Sequence, residues 1–510
     1  DKTGLIGVVN RRIDTSSRYI CLSRPRRFGK SIGLTMLADY YTKGFDCREL
    51  FAPYAASKLS SFETHRNKYN VFCIDMQSLV SRTVRNLGGV TEGVIDVITE
   101  TLVNEVRVAF PQVNLEGERT LDGAMATVFE QTGEQFVVLI DEWDAIFRNY
   151  EENFKLQESF VDFLRDLFKG ASADKYIAFA YITGILPVKK YNTESALNNF
   201  KEYTMIDPGD FATYFGFTED ETRRLCEQYG LDVEEALRWY DGYLLNGLHM
   251  TNPKSIVEAC ERKRLSSYWT STGSYDNILR YIQMDYEGLK QDVMEMLEGK
   301  RILVDVFGFK NTLFNIESKN DCLTVLIHLG YLAYEDHECF IPNSEIAAEF
   351  SRAVSKTEWR EVTRSLIESR ALMRAITNAE EDKVARLIDA AHTDYASVFD
   401  YNDENSLACV LTMATYAARE DWLVFREFNS GKGRADMVFM PSARSKQPVI
   451  VVELKANDSA DSALDQIKRR EYPASFKRLD REFILVGVNY DKTTKAHTCR
   501  IEHFDPREVK

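Results

Sequence analysis

The run Arg18-Tyr-Ile-Cys-Leu-Ser-Arg-Pro-Arg-Arg-Phe-Gly-Lys-Ser31 constrains the fold more than any other part of the chain. An apolar, strand-like stretch breaks at Pro25, and an apolar-periodic run over 32–41 begins directly after Gly-Lys-Ser. Strand, loop and helix in that order form the context in which a glycine-containing loop, a P-loop, cradles phosphate. Gly29 lets the backbone approach an anion and the helix N-terminus aims its free N–H groups there. Lys30 adds a charge, and the Ser31 hydroxyl can ligate Mg²⁺. Arg24 stands where such loops ordinarily begin with glycine, and Pro25, Arg26 and Arg27 make the loop stiffer and more basic. Arg24 and Arg27 are expected to join Gly29, Lys30 and Ser31 around the nucleotide.

The second constraint lies in Gln135-Phe-Val-Val-Leu-Ile-Asp-Glu-Trp-Asp144. Five consecutive apolar residues, Phe136 to Ile140, predict a strand buried on both faces, and its C-terminal end is where an open parallel sheet presents ligand-binding groups. Asp141 is placed to hold Mg²⁺ through water, and Glu142 to polarise the water that attacks the γ-phosphate. Acids after a strand are by themselves ordinarily helix caps. Paired with Gly-Lys-Ser upstream, they indicate an ATPase whose base directly follows its metal ligand. A third strand, over 176–182, ends at Thr183-Gly184, where Thr183 can sense the γ-phosphate or simply close the strand. Asp75, at the end of a strand over 69–76, reads as a structural cap.

The strings Asp1-Lys-Thr-Gly-Leu-Ile6, Arg24-Pro-Arg-Arg-Phe-Gly-Lys-Ser31, Trp239-Tyr-Asp-Gly-Tyr243 and Tyr268-Trp-Thr-Ser-Thr-Gly273 resemble a bacterial family of AAA-ATPase-like proteins that carry a C-terminal PD-(D/E)XK nuclease-superfamily domain. The resemblance runs over nearly the whole chain and keeps the motif order. It implies that Arg24 is a family trait of the loop. No chemistry is assigned to Trp239–Tyr243, since an aromatic-rich helix end is ordinarily core packing.

Composition bounds the rest. With 510 residues, 44% of them hydrophobic, the chain can bury several cores, and its length suggests two to four domains. No stretch approaches the ~20 apolar residues of a membrane span, and Asp-Lys-Thr-Gly is neither a signal sequence nor a natural start, so a short N-terminal piece is expected to be missing. Nine cysteines without a Cys-x-x-Cys pair fit a reducing cytoplasm and no zinc site. The net charge of −15 argues against indiscriminate binding to polyanions, whereas residues 421–510 carry 17 Lys and Arg against 14 Asp and Glu.

Strands alternating with helices predict an α/β chain: a P-loop NTPase domain over 1–205 with a parallel sheet and helices on both faces. An almost wholly helical lid is expected over 206–300, opened by a capping box at Thr218-Glu-Asp-Glu221. A mostly helical connector with one strand pair follows over 301–400. Residues 401–510 are expected to form a restriction-endonuclease-like α/β domain.

That last segment carries a second constellation. After a helix over 405–419 come strands over 422–428, 435–440 and 448–455, with a glycine-rich turn between the first two. Asp436 and Glu453-Leu-Lys455 fall on neighbouring strands. Alternation puts Glu453 and Lys455 on one face and Leu454 on the other, in the core. Two carboxylates can hold one or two Mg²⁺ or Mn²⁺ ions that activate a water, while the lysine positions the attacking group at a phosphodiester. Gln466, in Gln466-Ile-Lys-Arg-Arg-Glu-Tyr472, follows as the superfamily's glutamine–tyrosine motif does. Glu404 is expected as a further metal ligand, with Glu427 as its competitor, and Lys432 and Arg434 can grip the backbone of a nucleic acid.

These readings predict a protein that binds and hydrolyses ATP with Mg²⁺ and whose nucleotide state regulates a Mg²⁺- or Mn²⁺-dependent nuclease, acting on DNA in preference to RNA. The rival is an ATP-switched scaffold whose nuclease-like domain grips nucleic acid or a protein without cutting. A cytoplasmic location without membrane contact is expected, and a homo-oligomer is left open. A translocating motor is disfavoured, because no arginine finger or pore-loop signature stands out.

Overall fold

The computed structural model describes residues 1–510 apart from 92, 171, 189–196, 270–280, 282–285, 287, 298, 308, 310–315, 357–359, 396–410, 413, 416, 417, 419, 420, 431, 432, 442–444, 446, 471–480 and 505–510. The chain divides into two compact units, Asp1–Phe350 and Ser351–Lys510.

The first unit is built on five parallel strands, β1 (Tyr19–Ser23), β2 (Asn70–Asp75), β3 (Phe136–Asp141), β4 (Ile177–Gly184) and β5 (Lys201–Tyr203), in the order β2-β3-β4-β1-β5. β1, β3 and β4 are buried throughout, as strands covered on both faces must be. Alternation in β3 shows the two layers. Phe136, Val138 and Ile140 enter a core with Ile98, Leu102, Phe147 and Leu164, while Val137 and Leu139 enter another with Leu34, Leu37, Tyr40 and Tyr41. The order inserts β4 between the strand that leads into the phosphate loop and the strand that ends in the acids.

The segment after 206, expected to be almost wholly helical, also carries short strands. The helices Glu219–Tyr229 and Val233–Tyr240 are present, and Thr218 with Glu221 forms the full capping box. A small antiparallel sheet accompanies them: β6 (Phe217–Thr218), β7 (Tyr243–Leu245) and β8 (Leu248–Thr251), in the order β6-β8-β7. The reason is Asn246-Gly247, both left-handed at φ 54° and 73°, which closes a two-residue hairpin between Leu245 and Leu248. A further sheet joins β9 (Ile302–Leu303), β10 (Ala333–Glu335) and β11 (Glu338–Phe340), the last two being the expected strand pair. No described helix is long and apolar enough to cross a membrane.

The second unit is a five-stranded mixed sheet of β12 (Trp422–Ser430), β13 (Gly433–Pro441), β14 (Val449–Ala456), β15 (Phe483–Asp491) and β16 (Ala496–Phe504), paired in sequence order. Only β14 and β15 run parallel, because the helix Ala460–Arg469 crosses between them. One face packs Met437, Phe439, Ile450, Val452 and Leu454 against Ile376, Val384 and Ile388. The other packs Val438, Val449 and Val451 against Leu464 and Ile467 of the crossover helix.

Candidate functional site

Two sites emerge, one in each unit. In the first, the loop after β1 leads through Gly29, left-handed at φ 92°, into the helix Lys30–Tyr41. Lys30 is 4% exposed, and its Nζ donates to the carbonyls of Arg24 and Pro25 at 3.0 and 3.1 Å. Burial pushes its pKa below the usual lysine range, against the opposing pull of Glu142, Asp144 and Asp141. Ser31, in the first turn of the same helix, is exposed.

The acids sit at the tip of β3. Asp141 is buried and its Oδ1 accepts from the Glu142 N–H at 2.9 Å. Glu142 is left-handed at φ 50°, a region that costs a non-glycine residue on the order of 1 kcal/mol or more and recurs at functional sites. Burial holds its carboxyl above the usual range, with Lys30 and Arg148 working against that. Asp75, paired with Asp141 in register, caps the helix Met76–Asn86 by accepting from Ser78 N–H at 2.9 Å, which is the structural role expected of it.

Three residues expected around the nucleotide are otherwise engaged. Arg24 is fully buried, and its guanidinium donates to the carbonyls of Ser23, Tyr203 and Thr204 at 2.8, 3.1 and 2.9 Å. It therefore clamps the end of β1 to the end of β5, and burial lowers its pKa to about 10. Arg27, left-handed at φ 68°, donates to the carbonyls of Tyr268 and Trp269 at 3.1 and 2.7 Å. Thr183 is fully buried and its hydroxyl donates to the Leu22 carbonyl at 3.1 Å, so it closes the sheet between β4 and β1. For Arg24 and Thr183 the physical reason is the same: a desolvated donor takes the nearest buried carbonyl.

Sequence reasoning missed Asp144 and Arg148. Asp144 is fully buried and accepts from the N–H groups of Ile185 and Leu186 at 2.9 Å each. Arg148 lies 3.2 Å from Asp144 through Nε and pairs with Glu142 through Nη2. The available signal was the spacing of Asp144 and Arg148, i and i+4, across the start of a helix.

The aromatic string at 239–243 also has a function in packing. Tyr243 meets Phe28 of the loop edge to face at 5.2 Å, and its hydroxyl donates to the Gly330 carbonyl at 2.8 Å.

In the second unit the strand register Met437↔Val452 and Val438↔Val451 makes Asp436 and Glu453 cross-strand neighbours, a separation of about 5 Å between Cβ atoms. Asp436 accepts from the Leu454 N–H at 2.7 Å. Glu453 is 2% exposed and its Oε2 has no partner among the described residues. Burial first, then Asp436, pushes its pKa up to about 8, while Lys455 and Arg470 draw it down. A buried carboxyl with an orphaned oxygen beside a second carboxylate is a donor set that a divalent cation fits, since the cation removes both the desolvation penalty and the repulsion.

Gln466 is half-buried on the helix Ala460–Arg469 that packs over β14, and Lys455 is half-buried two residues beyond Glu453. Glu427 is not brought to the pair: it is exposed and forms a 2.8 Å ion pair with Arg434. That pairing also occupies Arg434, because the tight strand connection places the two charges across the hairpin. Glu404 and Lys432 lie outside the described residues. Among the described residues no three His, Cys, Asp or Glu side chains are grouped to hold a metal.

A phosphate loop, an acid-tipped strand one place removed from the loop's own strand and a separate mixed sheet with paired carboxylates define a P-loop ATPase-like unit joined to a nuclease-like one. Comparison with known proteins gives the same two parts. Residues 1–193 match the family described as predicted AAA-ATPase, and residues 402–499 match the PD-(D/E)XK nuclease superfamily. The chain thus carries an AAA-ATPase-like domain followed by a nuclease-superfamily domain. It is 26% identical over 277 residues, 54% of its length, to an uncharacterized protein in the vnfD 5′ region of Azotobacter chroococcum mcd 1. The match spans about half the length of that relative, 50%. A Walker-type ATPase of Pyrococcus abyssi aligns in structure at 14% identity, over 68% of this chain and 94% of that one, with a TM-score of 0.31.

Proposed function

We propose that the protein binds and hydrolyses ATP with Mg²⁺ in residues 1–205, and that its nucleotide state regulates metal-dependent cleavage of nucleic-acid phosphodiesters by residues 401–510. Residues 206–300 and 301–400 would connect the two. Support for the ATP site comes from Lys30, a buried ammonium at a helix N-terminus facing three carboxylates. The β- and γ-phosphates would lie against Gly29, Lys30 and the first-turn N–H groups, and Ser31 with Asp141 would hold Mg²⁺. Glu142 would orient the attacking water and accept its proton.

The observation that carries the nuclease reading is Glu453, buried beside Asp436 with an oxygen that no described residue satisfies. Asp436 and Glu453 would hold Mg²⁺ or Mn²⁺, with Glu404 the expected third ligand. A divalent cation, when bound, supplies a Lewis acid that polarises the phosphodiester and acidifies a water. Lys455 would orient that water and neutralise charge at the reacting phosphate, and Gln466 would fix the approach of the strand. DNA is the proposed substrate in preference to RNA, in the cytoplasm.

The rival is an ATP-switched scaffold that grips nucleic acid or a protein without cutting. The deciding experiment incubates the protein with Mg²⁺ or Mn²⁺ and a panel of DNA and RNA, with and without ATP. Cleavage that needs Glu453 and responds to ATP is expected; ATP-dependent retention of nucleic acid without cleavage would leave the scaffold.

A further inference from the structure

The acid tip of β3 holds a chain of contacts that the proposed mechanism does not use. It begins at backbone that cannot easily move: the N–H groups of Ile185 and Leu186, just past β4, both donate to Oδ2 of the fully buried Asp144. Asp144 is thereby fixed to the backbone that leaves β4. Its other oxygen, Oδ1, faces Nε of Arg148 at 3.2 Å. Nη2 of the same guanidinium pairs with Oε2 of Glu142, and the Arg148 side chain is only 7% exposed. Glu142 is thus paired with a guanidinium whose Nε lies in ion-pair range of Asp144.

The backbone of Glu142 is over-determined as well. Its left-handed conformation is kept by the next residue, since Trp143 N–H donates to the Thr183 carbonyl at 3.1 Å, and by Ala145 N–H donating to the Glu142 carbonyl at 2.9 Å. A long, flexible carboxylate on a strained backbone has three side-chain torsions to restrain. The guanidinium restrains them, because its planar donors match a carboxylate in one orientation.

An ion pair that served only the short helix Ala145–Asn149 would need Asp144 and Arg148 alone, at i and i+4. Reaching back six residues to Glu142 adds nothing to that helix. We propose that Arg148 is a positioning residue that sets the carboxylate of Glu142 for its work on the attacking water, with Asp144 as the anchor that sets Arg148. The proposal rests on the ATPase reading above, in which Glu142 is the base. It assigns Arg148 no contact with the nucleotide.

The test compares the full-length parent with Arg148→Ala, Arg148→Lys, Glu142→Gln and the double variant Glu142→Gln/Arg148→Ala. Steady-state hydrolysis of Mg-ATP, ATP affinity by calorimetry and circular dichroism are measured on each. Arg148→Ala is expected to lower kcat roughly 10- to 100-fold while ATP affinity stays within about threefold, since a misaligned base loses rate and not binding. Arg148→Lys should recover part of the rate, because one ammonium can meet one carboxylate but cannot span both. In the Glu142→Gln background the second change should cost nothing further, as two residues acting through one group are not additive.

Turnover of Arg148→Ala within about twofold of the parent, losses that multiply in the double variant, or affinity that falls in step with kcat would each overturn the role of Arg148. If Arg148→Ala does not fold, Arg148→Lys and Asp144→Asn carry the same test, with lowered kcat and retained affinity expected and unchanged kcat overturning it. A parent that binds ATP without hydrolysing it removes the ATPase reading itself, and this proposal with it; a parent that turns over normally alongside an unaffected variant removes the proposal alone.

Discussion

Arg27 in the phosphate loop donates a 2.7 Å hydrogen bond to the carbonyl of Trp269, 242 residues further along the chain. The same pair of peptides is held from its other side, since the N–H groups of Tyr268 and Trp269 donate to Oε1 of the buried Glu345 at 2.6 and 2.8 Å. Pro25 of the loop seats on Gly330, where an added Cβ would come within 2.6 Å of it. A loop without glycine at its first turn is thus braced from outside.

Disturbing that brace should reach the nucleotide. Glu345→Ala leaves two buried N–H groups without an acceptor, a penalty of about 1–3 kcal/mol each. The expected outcome is a lower melting temperature together with ATP affinity weakened several-fold, measured by calorimetry on the folded protein. Unchanged ATP affinity would mean that the loop keeps its shape unaided.

Lys30→Ala should abolish ATP binding by at least about 100-fold, because it removes the charge aimed at the β- and γ-phosphates. Glu142→Gln should bind ATP as the parent does and turn it over only at a small residual rate. Retained binding in Lys30→Ala would sink the assignment of the loop.

Glu453→Ala should abolish cleavage and leave ATP hydrolysis near the parent rate, the two sites being made of different residues. Mg²⁺ should raise the melting temperature of the second unit in the parent and not in the variant, and EDTA should reverse the shift. Cleavage that survives Glu453→Ala would leave only the scaffold.

A pH effect is expected from His328, which is buried, whose Nδ1 has no partner among the described residues, and whose pKa burial lowers to about 4. A base with a depressed folded-state pKa stays neutral in the fold while the unfolded chain takes up a proton below its ordinary pKa of about 6.5. Stability is therefore kept above pH 6.5 and lost as pH falls toward 4, by up to about 2 kcal/mol at pH 5. Urea titrations of the parent and His328→Phe at pH 7 and pH 5 check this: the parent should lose more between the two. Equal losses would refute it.

Neighbours along the chain settle the local elements. The strand, loop and helix over 18–41, the strand Phe136–Asp141 buried on both faces, the capping box of Thr218 and Glu221, and Glu453 and Lys455 on one face of β14 all follow from periods of two or 3.6 residues and from caps three residues apart. Asn246-Gly247 was equally local, and its hairpin was there to be read. Which partners the buried charges take depends on segments far apart in the chain. Arg24 reaches carbonyls 179 and 180 residues away, and Arg27 reaches others 241 and 242 away. Glu427 is drawn to Arg434 across a hairpin rather than to Asp436 and Glu453. For the fully buried Arg24 the reason is desolvation, since a charged group buried by distant segments must take whatever partner those segments bring, whereas the exposed Glu427 and Arg434 pair because the hairpin sets them side by side.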